Sequence, residues 1–150
     1  MLAVFSEFPD SVFRLDATRI LDFFMLFPNE LRNTRLPQSS RSLLPELRTT
    51  KYNMVPNRVR IFYQLHPIQN AALNHLVKSE FVQRVSTEQS KGYKRSNKPV
   101  PIELQDRMIA WKNIRELRPI LEGYLLKLSV TGKDGLKGRS RLYNVTYDAA

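Results

Sequence analysis

The strongest hydrophobic pattern of the chain lies in residues 15–28. Its apolar side chains recur with the period of an α-helix and form one face of it. That face consists of Ile20, Phe23, Phe24 and Phe27. Asp16 stands where an N-cap is expected, and Pro28 ends the pattern because a residue before proline avoids the α region. The pattern predicts a helix too apolar to stay exposed, buried in the core or shared with a partner subunit.

The segments on either side of this helix have weaker patterns. Residues 1–12 are predicted to be a lead-in whose phenylalanines, together with Phe13, dock on the helix. Residues 29–42 are rich in Asn, Pro and Ser and predict a loop. This loop carries Arg32, Arg35 and Arg41, opposed only by Glu30. A single helical turn is predicted over residues 42–47.

Two shorter helices and a strand are predicted next. Pro56 suits the start of the second helix, where its missing N–H costs nothing. Pro67 is expected to interrupt this helix and to begin a third one. A short apolar strand follows at residues 81–85. Helix, tight break, helix and strand is the order of a helix-turn-helix domain, although it also fits any packed helix pair.

Residues 88–101 predict a basic loop, since they combine Ser, Gly and Pro with several cations. The cations are Lys91, Lys94, Arg95 and Lys98, and Tyr93 lies among them. One interpretation is a solvated loop. The other is a phosphate-contacting loop, in which Lys and Arg attract the backbone and the tyrosine stacks on a base.

An amphipathic helix is predicted from Pro101, with an apolar stripe and a break or kink at Pro119. The stripe consists of Leu104, Met108, Trp111, Ile114 and Leu117. Residues 120–128 keep the helical period and also alternate as a strand does, so both structures remain open there.

A C-terminal β-hairpin is predicted at about 126–147, because two alternating segments flank a glycine-rich tip at residues 132–138. A helix followed by such a hairpin is typical of a winged-helix domain. Lys133, Lys137, Arg139 and Arg141 would then line the wing. The predicted fold is a single α+β domain over residues 1–150, mainly α-helical and winged-helix-like.

Composition favours a binding protein over an enzyme. The formal net charge is +10, which favours nucleic acid or an acidic protein face as a partner. The chain has no cysteine, and no phosphate-binding glycine loop or serine-nucleophile elbow is present. Its two histidines, His66 and His75, lack metal-ligand spacing. We therefore predict no catalytic residue, no cofactor and no metal, and the lack of a signal peptide or membrane span predicts a cytoplasmic protein.

One stretch carries a family resemblance. Its residues are Leu21-Asp22-Phe23-Phe24, Leu26-Phe27-Pro28 and Leu31. They resemble the first helix of the middle components of ABC three-component systems, which include the Lamassu-type anti-phage and anti-plasmid systems. The resemblance covers about the first thirty residues. It implies an accessory subunit that bridges an SMC-like ATPase and a separate effector, often a nuclease, with possible DNA contacts and no catalytic residues to transfer.

The alternative interpretation is a free-standing winged-helix DNA-binding regulator or replication accessory protein. It requires an exposed recognition helix rich in polar side chains. The predicted third helix offers Gln69, Asn70, Asn74, His75 and Lys78. Such a regulator is expected to bind a duplex by itself, whereas an accessory subunit is expected to be stable mainly with its partners.

Overall fold

The computed structural model of the chain describes residues 1–44, 55–86, 91–110 and 113–143. Within them the fold is α+β and mainly helical, as predicted. The α-helices are α1 (Leu2–Glu7), α2 (Leu15–Leu26), α3 (Gln38–Arg41), α4 (Arg58–Lys78), α5 (Ile102–Ala110), α6 (Asn113–Gly123) and α7 (Leu136–Ser140). Short 3₁₀ helices lie at Pro28–Asn33 and Leu125–Lys127, and an antiparallel hairpin joins β1 (Val82–Ser86) to β2 (Lys91–Arg95).

Helix α2 is the centre of the core and contacts α1, α4, α6 and α7. The predicted stop at Pro28 is confirmed, because Phe27 leaves the helix with φ −129° and ψ 68°. The predicted N-cap at Asp16 is wrong, since Arg14 occupies that position. Asp16 lies inside the first turn, and its carboxylate accepts a hydrogen bond from Tyr143 instead.

Two segments that were predicted to be irregular form helices, because they pack against α2. Residues 2–7 form α1 because Val4 and Phe5 are fully buried and pack in the same cluster as α2. The predicted loop at 29–42 contains a 3₁₀ helix and α3, so that prediction is wrong in part. Leu31 and Leu36 are buried and hold this segment to the core. The helical turn predicted at 42–47 lies partly outside the described residues.

The predicted break at Pro67 is wrong, since α4 is one helix of 21 residues that includes this proline. Proline removes one backbone hydrogen bond, but Pro67 is exposed and water can satisfy the freed carbonyl. Contacts with α2 on both sides of Pro67 stabilise the helix. The ring of Phe62 lies 5.6 Å from that of Phe23, and Gln69 Nε2 donates to Asp22 Oδ2 at 2.9 Å.

The β-hairpin lies in the middle of the chain. The short strand predicted at residues 81–85 corresponds to β1, but the predicted basic loop at 88–101 contains strand β2. Strand β2 pairs with β1 on one edge and with Phe13 on the other, through N···O distances of 2.8 and 2.9 Å between Phe13 and Tyr93. A Cβ at position 92 would lie 2.7 Å from Val12 Cγ1, so Gly92 permits this close approach.

The hairpin predicted at about 126–147 is wrong for the described residues, which end at 143. Residues 125–127 form a 3₁₀ helix, and α7 follows. The carbonyls of Ser129 and Val130 accept hydrogen bonds from the first amides of α7. A Cβ at Gly135 would collide with the backbone of Thr131, so this glycine allows the segment to fold back on itself. The order of elements therefore differs from the predicted winged helix.

In the C-terminal half of the chain, only some helical residues are buried in the core. In α6, Leu117, Ile120 and Leu121 are fully buried, and Pro119 stays inside the helix on its exposed side. Residues 120–123 complete α6, so the helical alternative is correct there. Trp111 lies outside the described residues. No helix in the described part of the chain combines the length and hydropathy required to cross a membrane.

Candidate interaction surfaces

The apolar face predicted on α2 lies inside the protein. Ile20, Phe23 and Phe24 have no exposed surface, and Phe27 is half-buried. The rings of Phe23 and Phe27 are 5.1 Å apart, so even the fourth member packs against the others. In this conformation the first three present no surface to a partner.

Among the described residues, helix α5 carries the most exposed large apolar side chains. Ile102 is 75% exposed, Ile109 is 60% exposed and Leu104 is 41% exposed. Among residues 102–109, Met108 alone is half-buried and packs against the core, and grooves run between this helix and α1. Ile102 and Ile109 are seven residues apart and share one face of the helix, and exposed apolar side chains that share a face mark an interaction surface. The predicted stripe contained Leu104 and Met108 but neither Ile102 nor Ile109, so the sequence pattern missed the two more exposed side chains.

The cations predicted around β2 divide into structural and accessible residues. Arg95 donates to the carbonyls of Phe81 at 2.7 Å and Ser96 at 2.9 Å, so it closes the end of the hairpin. Lys98 Nζ donates to the carbonyl of Ser79 at 2.8 Å and lies near Glu80. Lys94 is half-buried and Lys91 is exposed. The structure therefore does not bring these four cations to one place. Lys91 lies opposite Ser86 at one end of the strand pair, whereas Arg95 lies opposite Val82 at the other end, where Arg95 and Lys98 are engaged in the folding of the hairpin.

The cations predicted on the wing lie around α7 instead. Lys137 Nζ forms an ion pair of 2.8 Å with Asp16, and Arg139 pairs with Asp134 at 3.2 Å. Lys133 and Arg141 are exposed. Arg141 ends the helix with φ +54°, which directs the chain back toward the core. The four residues lie on or beside α7, and the predicted wing does not form in the described residues.

Asp16 joins α2 to the C-terminal segment. Its carboxylate accepts from the Tyr143 hydroxyl at 3.0 Å and pairs with Lys137. Burial alone would raise its pKa, but the contacts with Lys137 and Tyr143 outweigh burial and lower the pKa below its usual value of 3.8. Burial and the neighbouring Asp16 carboxylate raise the pKa of Tyr143, so this hydroxyl stays protonated and acts as a donor.

Asp16→Asn is expected to flatten the acid limb of the stability–pH curve. Because the pKa of Asp16 is lower in the folded state than in the unfolded state, the carboxylate stabilises the fold at pH values above 3.8, its usual pKa. That stabilisation is lost as the pH falls through the lower pKa that Asp16 has in the folded state. Urea unfolding at neutral and acid pH measures the difference. Asp10→Asn is the control, because the Asp10 side chain is fully exposed, and an equal change in both variants would contradict the proposed role of Asp16.

Some of the histidines and predicted recognition residues are engaged within the chain, and others are exposed. The ring of His66 lies 4.7 Å from that of Phe62, and burial lowers its pKa. Gln69 is buried, and Asn70 accepts from Arg19 at 2.7 Å. Asn74, His75 and Lys78 are exposed. Among the described residues no group of three or more metal-ligating side chains comes together.

Comparison with known proteins gives one family. The chain matches the family model of the ABC-three component (ABC-3C) system Middle Component 5 over residues 1–148. No curated protein and no solved structure matches it. Because the match spans nearly the whole chain, the protein belongs to this middle-component family of ABC-three component systems.

Proposed function

We propose that this chain is a non-enzymatic accessory subunit that bridges an SMC-like ATPase and an effector in a cytoplasmic defence system against phages or plasmids. Family membership is the observation that carries the proposal, since a middle component works with the other components of its system. The partners and the Lamassu-type mechanism follow from the resemblance of the α2 segment described above. In this mechanism, movement of the ATPase on DNA releases or assembles the effector.

The α5 surface is the proposed contact with another subunit of the system. Stable protein interfaces have an apolar centre and a polar rim. Ile102 and Ile109 supply exposed apolar side chains, and Asp106 and Arg107 lie exposed between them on the same helix. The basic residues around β2 and α7 are the proposed contacts with DNA. The subunit thus offers an apolar surface and basic surfaces on different elements.

The test is affinity capture of the full chain co-expressed with the proteins encoded beside it, followed by sizing. We expect a stable stoichiometric complex with an ATPase subunit. Ile109→Glu is expected to reduce recovery of at least one partner about tenfold or more, since it places a charge in the apolar centre of the interface. The same measurement on Ile102→Glu checks a second position of the surface.

Ile68→Glu is the matched control, because Ile68 is 66% exposed on α4 and undergoes the same change. It is expected to keep full recovery. Equal losses in the α4 and α5 variants would contradict the α5 assignment. A chain that recovers no partner, forms a homodimer and shifts a duplex by itself would contradict the accessory function and support a DNA-binding regulator.

A further inference from the structure

Basic residues from distant parts of the sequence meet on one surface. The backbone N–H of Arg35 donates to the carbonyl of Arg139 at 3.0 Å, which joins the segment after the first 3₁₀ helix to α7. The Tyr124 hydroxyl donates to the carbonyl of Arg35 at 3.4 Å, and the guanidinium of Arg139 lies 5.7 Å from the Tyr124 ring centre. Two basic segments that the sequence separates by about a hundred residues are thus adjacent.

The start of α4 extends this surface. The guanidinium of Arg58 donates to the carbonyls of Glu30 and Asn33, each at 3.2 Å, and so attaches α4 to the first 3₁₀ helix. Burial lowers the pKa of Arg58, and the positive charge of nearby Arg141 lowers it further. Arg141 ends α7 two positions after Arg139, so its backbone lies beside the contact between Arg139 and Arg35. We call the surface formed by Arg35, Arg58, Arg139 and Arg141 the arginine surface.

The carboxylates beside the arginine surface are already paired. Glu30 pairs with Arg58 at 3.0 Å, and Asp134 pairs with Arg139 at 3.2 Å. Among the described residues, neither Arg35 nor Arg141 has an ion pair with a carboxylate, and both are exposed. These two guanidinium groups retain their hydrogen-bonding capacity for an external anion. Arginine suits phosphate in particular, because its planar group can donate two parallel hydrogen bonds.

The aromatic rings near the arginine surface indicate the form of the anion. Arg139 covers Tyr124, and Lys137 Nζ lies 4.6 Å from the centre of the Tyr143 ring. Rings covered by cations offer no platform on which unpaired bases could stack, so single strands gain little there. A duplex presents its phosphates and keeps its bases paired. We propose that the arginine surface binds the phosphate backbone of duplex DNA without sequence preference. This inference rests on the proposed function, because it specifies how the subunit contacts DNA.

The test measures binding of the full chain to a fluorescently labelled DNA duplex of arbitrary sequence at several salt concentrations. We expect R35E/R141E to weaken binding about tenfold or more at low salt. The slope of log K against log salt should also fall by about 2, because two phosphate contacts are lost. Neither side chain has a hydrogen bond or an ion pair within the described part of the chain, so the circular dichroism spectrum should stay unchanged.

K78E/R115E is the control, because both cations are exposed, Lys78 lies at the opposite end of α4 from Arg58, and the change in net charge is the same. We expect this variant to bind the duplex almost as the unchanged chain does. Equal weakening in both variants, or no duplex binding by the unchanged chain at low salt, overturns the inference. If R35E/R141E instead reduces capture of a partner subunit, the surface recognises an acidic protein face, which also overturns it.

The two proposals fail in different ways. A chain that is recovered with its partner subunits but does not bind the duplex contradicts the arginine surface alone. A chain that binds the duplex through Arg35 and Arg141 but recovers no partner contradicts the accessory function. Capture and duplex binding are therefore measured on the same set of variants.

Discussion

Phe23→Asp is expected to abolish folding of the chain. The side chain of Phe23 is fully buried at the centre of the core, and its ring packs 5.6 Å from that of Phe62 and 5.9 Å from that of Phe24. An ionised carboxylate there would have no counter-charge, and removal of the ring leaves a cavity. The combined cost exceeds several kcal/mol, which is comparable with the whole stability of a small domain at about 5–15 kcal/mol. Thermal unfolding followed by circular dichroism measures the effect.

Leu26→Asp is the control for this prediction, because it introduces the same side chain into the same helix at a position that is 41% exposed. We expect it to lower the free energy of unfolding by about 1 kcal/mol or less, partly because an acidic residue opposes the dipole at a helix C-terminus. If Phe23→Asp melted as cooperatively and at the same temperature as Leu26→Asp, the placement of Phe23 in the core would be refuted.

Periodicity was sufficient to find α2, because its apolar face is determined by sequence spacing alone. The same reasoning failed at Pro67, where a local rule predicted a break. The proline lies on the exposed side of α4, and the contacts of Phe62 and Gln69 with α2 come from residues that are distant in sequence. Tertiary contacts therefore override the local preference, and no local pattern reports them.

The hairpin is a second case in which the local sequence pattern gave the wrong structure. Lys91-Gly92-Tyr93-Lys94-Arg95 has the composition of a loop, yet it forms β2 because β1 pairs along one edge and Phe13 bridges the other. The alternating residues near 126–130 have the pattern of a strand, yet the backbone there receives the first amides of α7. Strand formation depends on a pairing partner, and the sequence of one strand does not identify that partner.

The candidate surfaces were predictable in composition but not in arrangement. Arg35 and Arg139 are both basic residues in polar segments, which the sequence shows directly. Their hydrogen-bonded contact depends on how α7 packs on α2 and on the first 3₁₀ helix. Likewise, the predicted apolar stripe included Leu104 and Met108 of α5 but neither Ile102 nor Ile109, whose exposure depends on how the rest of the chain packs. Residue type indicates a kind of contact, and the fold determines which residues act together.

Arg58→Met is expected to lower the free energy of unfolding by about 3–5 kcal/mol, because it leaves a buried carboxylate without its counter-charge. Glu30 is only 2% exposed, and its Oε2 atom lies 3.0 Å from Arg58 Nε. Among the described residues, the remaining donors to this carboxylate are Asn33 Nδ2 at 3.1 Å and the backbone N–H of Val55 at 3.2 Å, and neither carries a charge. Urea unfolding measures the change. Arg60→Met, an exposed position on the same helix, should stay within about 0.5 kcal/mol of the unchanged chain.

A double-mutant cycle separates the ion pair from the packing of the Arg58 side chain. Glu30→Gln removes the charge and keeps the shape, so Glu30→Gln/Arg58→Met has no unpaired buried charge. We expect the double variant to be more stable than Arg58→Met alone, with an interaction free energy of about 1–3 kcal/mol. Additive effects of the two substitutions would mean that Arg58 acts through its hydrogen bonds to the carbonyls of Glu30 and Asn33. The arginine would then attach α4 to the first 3₁₀ helix without help from the charge of Glu30.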